Sequence, residues 1–401
     1  MTRELVLTIG VLLGTGLAAR LAADLTRLPA VLLLLLTGVL VGPSVLDLVD
    51  VPLSSDGAQL LFTVGVSVVL FYGGLSLSLD VLEQVWISLG LLAILGVLLT
   101  TAVVGAAAAV AFDVPLEQGL LVGAVLSPTD PAILIPLFIG SRLRPKLSET
   151  VVAESALNDP TAAVLALAIA GAILSGDASI GDPVVEFVVD LGLSAVVGVV
   201  AGLLLSLTIS SHRVGIWRDS APLAVLAVVA IGYVSLDYAG GSGYLGAFLA
   251  GLVVGNMTRL GVAMHAEHER EVHGFAAILS DLVTTFVFLI VGANLPLDAL
   301  ADNAVPALAV IAVLILVARP LTVLACARPD RRAAWTRPEL AFLTWTRETG
   351  IVPAALVGVL AALGLPHGDV LASVVAVAIV VTLVLQAVPA PWLARRLGLL
   401  E

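Results

Sequence analysis

Long aliphatic runs are what most constrain this chain: stretches such as Val31 to Leu36 and Val374 to Val384 recur along its 401 residues with only short breaks between them. The hydrocarbon core of a bilayer takes about 20 apolar residues per helical crossing. Inside it each backbone polar group must be satisfied within the segment, which selects helices. Only 12% of the residues are charged against 60% hydrophobic, and nearly all of the charge falls in the breaks. The chain is therefore expected to be an all-α polytopic membrane protein forming a single transmembrane domain over 1–401. Reading each apolar block as one span predicts about 13 transmembrane helices, beginning near Glu4, Leu28, Gly57, Trp86, Leu116, Ser148, Val184, Ala221, Gly243, Ala276, Asn303, Pro338 and Asp369. The first is read as a retained helix, although Ala18, Ala19, Ala22 and Ala23 also suit a leader cleavage site.

The breaks differ in sign, and basic residues stay with short cytoplasmic connections. Alternate connections hold Arg20 and Arg27, then Arg142, Arg144 and Lys146, then Arg213 and Arg218, then Arg259 and Arg270, then Arg328, Arg331, Arg332 and Arg337. The opposite set, with Asp47, Asp50, Asp56, Asp113, Glu117, Asp177, Asp182, Asp237, Asp298, Asp302 and Asp369, has no Lys or Arg. The connection at Asp80 and Glu83 is the exception. Arg395 and Arg396 close the chain inside. The alternation predicts an external N-terminus, a cytoplasmic C-terminus and an odd number of crossings.

Several function classes drop out. Cys326 is the one cysteine, which excludes an internal disulfide and a cysteine metal cluster. No metal-ligand spacing, P-loop, nucleophile elbow or Gly-rich dinucleotide motif occurs. No cofactor is expected, no metal beyond a monovalent cation, and neither an enzyme nor an ATP-driven pump. A net charge of -12 does not suggest nucleic acid or another anionic partner. Lys146 is the only lysine, which with a pI near 4.8 suits a halophilic or a GC-rich prokaryote without choosing between them.

Polar residues at depth are costly and mark function. Glu154-Ser155-Ala156-Leu157-Asn158-Asp159-Pro160 interrupts the sixth apolar block. Helical spacing sets Glu154 over Asn158 and Ser155 over Asp159 as two adjacent stripes, and Pro160 removes the partner of the Ala156 carbonyl. The alternative is a polar stripe that merely holds helices together. In the fifth block, Ser127-Pro128-Thr129-Asp130-Pro131 cannot be regular helix, and its prolines strip partners from the carbonyls of Ala124 and Ser127. The twelfth block is interrupted at Thr346-Arg347-Glu348-Thr349-Gly350. The odd offset between these two blocks makes them run in opposite directions, as inverted repeats require, and paired discontinuous helices point to a transporter site. The repeats are expected over about 1–176 and 220–394. Arg319, in the eleventh span, is a candidate counter-charge for Glu154, with Arg347 as the competitor and snorkelling of Arg319 to the surface as the alternative. His212, His265, His268, His273 and His367 are assigned to loops.

With these features the chain resembles the monovalent cation:proton antiporter superfamily, in the CPA1 branch of NhaP-like Na+(K+)/H+ exchangers. The resemblance is carried by Leu28-Pro29-Ala30, Phe71-Tyr72-Gly73-Gly74, Ser127 to Pro131, Glu154 to Pro160, Ala318-Arg319-Pro320, the Arg347 segment and Pro391 to Leu397. It implies that Asp159 alternately holds a proton and a cation. It further implies that Asp130, Thr129 and Ser155 complete the oxygen shell, that Asn158 fixes the geometry and that Glu154 is tied to Arg319. One-for-one electroneutral exchange by an elevator-like motion of a six-helix core, in a homodimer, is the family's behaviour. Two departures stand out. Tyr72 occupies a position where many relatives have an acid. Arg347 is followed by Glu348 and Thr349 where many relatives read Leu-Arg-Gly, which puts the role of Arg347 in question. The chain ends soon after its last span, so no soluble regulatory domain is expected.

The expected function is secondary-active exchange of Na+, or Li+ or K+, for H+ across the cytoplasmic membrane, serving sodium transport and pH homeostasis. Competition of proton and cation for one carboxylate enforces the exchange, because the bare charged site is too costly to move. A passive cation channel and a non-transporting membrane sensor are the alternatives. The three cations share one ligand chemistry, so the sequence does not choose among them.

Overall fold

The computed structural model describes residues 2–26, 28–130, 143–175, 181–211 and 215–401. Pro131, Arg27, Arg142, Asp177, His212 and Arg213 lie outside the described residues.

The described residues form helices and connecting turns: α1 (Thr2–Thr26), α2 (Ala30–Val41), α3 (Asp56–Leu75), α4 (Val85–Phe112), α5 (Leu116–Val125), α6 (Pro145–Ser175) and α7 (Gly181–Ile209). They continue as α8 (Ala221–Ala239), α9 (Gly243–Gly255), α10 (Ala266–Ala293), α11 (Leu297–Cys326), α12 (Arg337–Trp345), α13 (Ile351–Ala362) and α14 (Gly368–Arg396). Among the described residues, 9 helical segments are long and apolar enough to cross a membrane, and α2, α5, α9 and α13 are shorter apolar helices. Within the described residues the expected spans coincide with these helices, with α12 and α13 together standing for the twelfth; the fifth runs on past Asp130, outside the described residues.

Two packed groups emerge. In one, α5 lies along α4 while α11 packs between α4 and α14; in the other, α9 sits between α3 and α7, and α10 lies against α2 and α3. Apolar side chains gain little by meeting one another in lipid, so close backbone approach drives such pairings. The α4–α5 contact shows the cause. A side chain at Gly105 would meet the backbone of Leu120, and one at Gly123 would meet the Thr101 carbonyl. The α6 helix bears the polar stripe and packs against α5 in the first group, against α9 in the second, and against α13, which touches both.

Four helices among the described residues widen by a π-type turn, at Leu61–Gly65 in α3, Leu92–Gly96 in α4, Leu314–Ala318 in α11 and Leu383–Ala387 in α14. The last two lie just before Pro320 and Pro389. A proline ring clashes with the carbonyl four residues back and supplies no N–H to it, so the preceding turn opens. This delivers Arg319 into the interior, where it is buried rather than snorkelled to the surface.

One expectation is corrected. The α10 helix starts at Ala266, a few turns before the apolar block, so His268 and His273 are helical and His265 is its N-cap. Glu267 and Glu269 in the first turn favour that early start by complementing the helix dipole. His268 Nε2 stands 3.6 Å from Asp219 Oδ1.

Candidate functional site

The helix α5 stops at Val125, and Leu126 to Asp130 continue without helical structure. The carbonyls stripped by the prolines do not stay open. That of Ala124 accepts from the Ser127 hydroxyl at 2.7 Å, and that of Ser127 accepts from Arg347 Nη2 at 3.0 Å. Arg347 Nη2 also donates to the Leu126 carbonyl. Arg347 thus serves as the surrogate donor for the first break, which is why it is not the partner of Glu154.

Thr129 is gripped from α6. Its N–H donates to Asn158 Oδ1 at 3.3 Å, its hydroxyl oxygen accepts from Asn158 Nδ2 at 3.0 Å, and its carbonyl accepts from the Ser155 hydroxyl at 2.5 Å. Asn158 and Ser155 reach together because they lie three residues apart on one helical face. Asp159 Oδ2 lies 3.4 Å from the same Ser155 oxygen. That hydroxyl has one hydrogen, and the shorter contact to Thr129 claims it. Asp159 is therefore loosely held. It is also partly exposed, whereas Thr129, Asp130, Glu154, Ser155 and Asn158 are buried.

The two breaks cross. The Asp130 N–H donates to the Glu348 carbonyl at 2.9 Å, and Asp130 Oδ2 accepts from the Ile351 N–H at 3.1 Å. Asp130 thereby caps the start of α13, where a carboxylate also complements the helix dipole. Gly350 is required here, because a side chain would run into the Asp130 carboxylate.

Glu154 and Arg319 form a buried two-pronged ion pair, Nη1 to Oε1 and Nη2 to Oε2, the latter at 3.0 Å. Arg319 also donates through Nε to the Leu343 carbonyl at 2.9 Å and through Nη2 to that of Thr346 at 3.1 Å. Its planar fork thus satisfies the carboxylate and the open C-terminal end of α12 together. Tyr72, by contrast, is partly buried against the apolar cluster that α3 shares with α7, α8, α9 and α10.

Sequence reasoning missed the support behind the second break. The Thr349 N–H donates to Thr382 Oγ1 at 3.0 Å, and Gln386 Nε2 donates to the Trp345 carbonyl. Both supports sit on α14 within an aliphatic run. The available signal was a buried hydroxyl and carboxamide one turn apart just before Pro389.

These interrupted crossing helices, with a carboxylate at their junction, define a membrane transporter rather than an enzyme. Residues 9–396 match the family of the sodium/hydrogen exchanger, transmembrane, and the chain belongs to that family. It is 30% identical over 386 residues to the K(+)/H(+) antiporter NhaP of Alkalimonas amylolytica, spanning 95% of this chain and 64% of that relative's length. It is 28% identical to the probable Na(+)/H(+) antiporter 2 of Methanocaldococcus jannaschii over 86% of this chain and 81% of the relative. Its fold is similar to the solved structure of the sodium proton antiporter MjNhaP1 from the same organism, with a TM-score of 0.82 and 25% identity over 98% of this chain and 99% of that one.

Proposed function

We propose that this protein exchanges a monovalent cation, Na+ or else Li+ or K+, for a proton at Asp159. The observation that carries the reading is the contrast at the junction of the breaks. Asp159 is the partly exposed, loosely held carboxylate in a cluster whose other members are buried and hydrogen-bonded. A group that trades ligands each cycle needs that freedom. A group that shapes the site needs the opposite.

In this reading Asp159 takes the cation with oxygens of Asp130, Thr129 and Ser155, hard donors suited to a hard cation. The proton and the cation neutralise the same carboxylate and so exclude one another. Asn158 fixes Thr129, while the Glu154–Arg319 pair and Arg347 hold the broken ends of the helices. The protein crosses the cytoplasmic membrane of a prokaryote 13 times by this reading, as an inverted-repeat homodimer with its N-terminus outside. Support comes from the sign of the loops, from the α5 and α12–α13 breaks hydrogen-bonding across one another, and from the family. Electroneutral alternating access is the expected mode.

The test is dissipation of an imposed pH gradient in proteoliposomes on adding Na+, K+ or Li+ in turn. Wild-type protein should dissipate it with at least one of them, and Asp159→Asn should fall to the background of empty liposomes. Exchange at the wild-type rate in Asp159→Asn contradicts the assignment.

A further inference from the structure

The ends of α4, α6, α11, α12 and α14 that the proposed orientation sets at the cytoplasm are tied into one plate. Leu92 of α4, Leu147 of α6, Cys326 of α11, Phe342 of α12 and Ala394 of α14 share an apolar cluster. Around it run polar ties. Asp330, in the connection from α11 to α12, accepts from the Ser88 hydroxyl of α4 at 2.7 Å and from the Arg332 N–H at 3.0 Å. The Arg144 N–H donates to the Leu399 carbonyl at 3.0 Å, and Lys146 of α6 meets Glu339 of α12 at 3.1 Å while lying 4.2 Å from the centre of the Trp335 ring.

On this plate the bases are exposed and most of the acids are used up. Arg328, Arg331, Arg332 and Arg337 are exposed between α11 and α12, as are Arg144 before α6 and Arg395 and Arg396 at the end of α14. Among the described residues none of these guanidinium groups has a carboxylate partner; Arg144 meets the Gly398 carbonyl, and Arg396 lies 5.4 Å from the centre of the Trp392 ring. Asp330 and Glu339 are buried with their oxygens engaged, which leaves the partly buried Glu149 and the exposed Glu401. The second packed group is the reverse at the same end. There the exposed Asp24, Asp219, Glu267, Glu269 and Glu271 outnumber Arg218 and Arg270, while Arg20 is paired with Asp281 and Arg259 with Asp80 and Glu83.

The height of the plate decides what covers it. On α14 the exposed Leu385 and Val388 are followed by exposed Trp392 and then by Arg395 and Arg396; on α11 the exposed Leu321 and Leu324 are followed by Arg328. Aliphatic side chains in hydrocarbon, an indole at the interface and guanidinium groups just beyond set these arginines level with lipid phosphates. A guanidinium fork matches phosphate oxygens, and clusters of about four to eight basic residues beside a membrane helix attract anionic headgroups. We infer that this plate is a binding surface for anionic lipid headgroups, which the second packed group does not share. The net charge of -12 does not oppose it, because a headgroup feels charge within a Debye length of about 8 Å at physiological salt. A lipid held here grips the ends of α6, which carries Asp159, and of α12, which leads into the second break. The inference uses the proposed orientation and not the exchange reading.

Thermal unfolding of the full-length protein in detergent, with phosphatidylglycerol or phosphatidylcholine added, tests this. Phosphatidylglycerol should raise the melting temperature by several degrees more than phosphatidylcholine. That excess should shrink as salt rises from about 0.1 M to about 1 M, where the Debye length falls from about 10 Å to about 3 Å. It should drop by at least half when Arg331→Gln, Arg332→Gln, Arg395→Gln and Arg396→Gln are combined, and persist in Arg270→Gln. Equal effects of the two lipids, an excess unchanged in the combined variant, or an equal loss in Arg270→Gln overturns the inference. So does the same rise with glycerol phosphate in place of lipid, which would mark a site for a soluble anion. If the combined variant does not fold, native mass spectrometry of wild-type protein taken from an equimolar mixture of the two lipids decides: retention of more phosphatidylglycerol is expected, and equal retention overturns the inference. Labelling of Arg395→Cys from the outside only would overturn the cytoplasmic placement, while the lipid preference is judged by itself.

Discussion

Asp159 and Glu154 lie five positions apart on α6, yet their surroundings give them different work. Glu154 meets a planar guanidinium with both oxygens, whereas Asp159 meets a hydroxyl whose hydrogen is already given to Thr129. Removing one member of a buried ion pair strands the other, at about 3–5 kcal/mol. Thermal unfolding in detergent should accordingly show Glu154→Gln strongly destabilised, and Glu154→Gln combined with Arg319→Met should lose clearly less than the sum of the two single losses. Additive losses contradict the pairing. Asp330, in the connection between α11 and α12, is a second informative carboxylate. Burial pushes its pKa up, but the Ser88 hydroxyl and the N–H groups of Ala333, Ser88 and Arg332 outweigh that and hold it below the ordinary carboxylate value. The stabilisation is therefore fully present above the unfolded value of about 4 and lost as pH falls below it. Melting temperature measured against pH should drop on that acid side less steeply in Asp330→Asn than in wild type. An identical acid slope counts against the account.

At the scale of elements, the broken helices are held open by specific groups rather than by looseness. Arg347 serves the end of α5, Arg319 the end of α12, Asp130 the start of α13, and Thr382 the Thr349 N–H between α12 and α13. Gly350 allows the close approach, so Gly350→Ala should press on an Asp130 carboxylate that the Ile351 N–H already fixes. Overpacking of this kind costs about 1–3 kcal/mol. The variant should lose both melting temperature and exchange rate; wild-type values in both contradict the crossing. Much of this was legible in the chain. Pro128 marked the first break, and the Glu154–Asp159 spacing marked the stripe, because both are local and follow from backbone chemistry. The Asp130 contacts to Glu348 and Ile351, and the props from α14, join segments far apart in sequence, and no periodicity encodes which distant carbonyl a side chain will find. The early start of α10 was missed for a related reason: its first turns are polar, so hydropathy does not register them.

For the whole molecule, a run of apolar helices fixed the class, while the site came from their mutual packing. The proposed orientation has a direct check. Cys326 is buried, so a lone exposed cysteine introduced as Arg395→Cys should react with a membrane-impermeant thiol reagent added from the cytoplasmic side and be protected from the outside. Labelling from outside only would invert the topology. The central claim, that cation and proton compete for one carboxylate, is met most directly by calorimetry of Na+, K+ or Li+ binding to the purified protein in buffers of different ionisation enthalpy. For each cation that binds, the account predicts that about one proton leaves per cation bound, consistent with a carboxyl group deprotonating as it becomes a ligand, and that this release disappears in Asp159→Asn. Cation binding without proton release in wild-type protein, or release that survives in the variant, would contradict it.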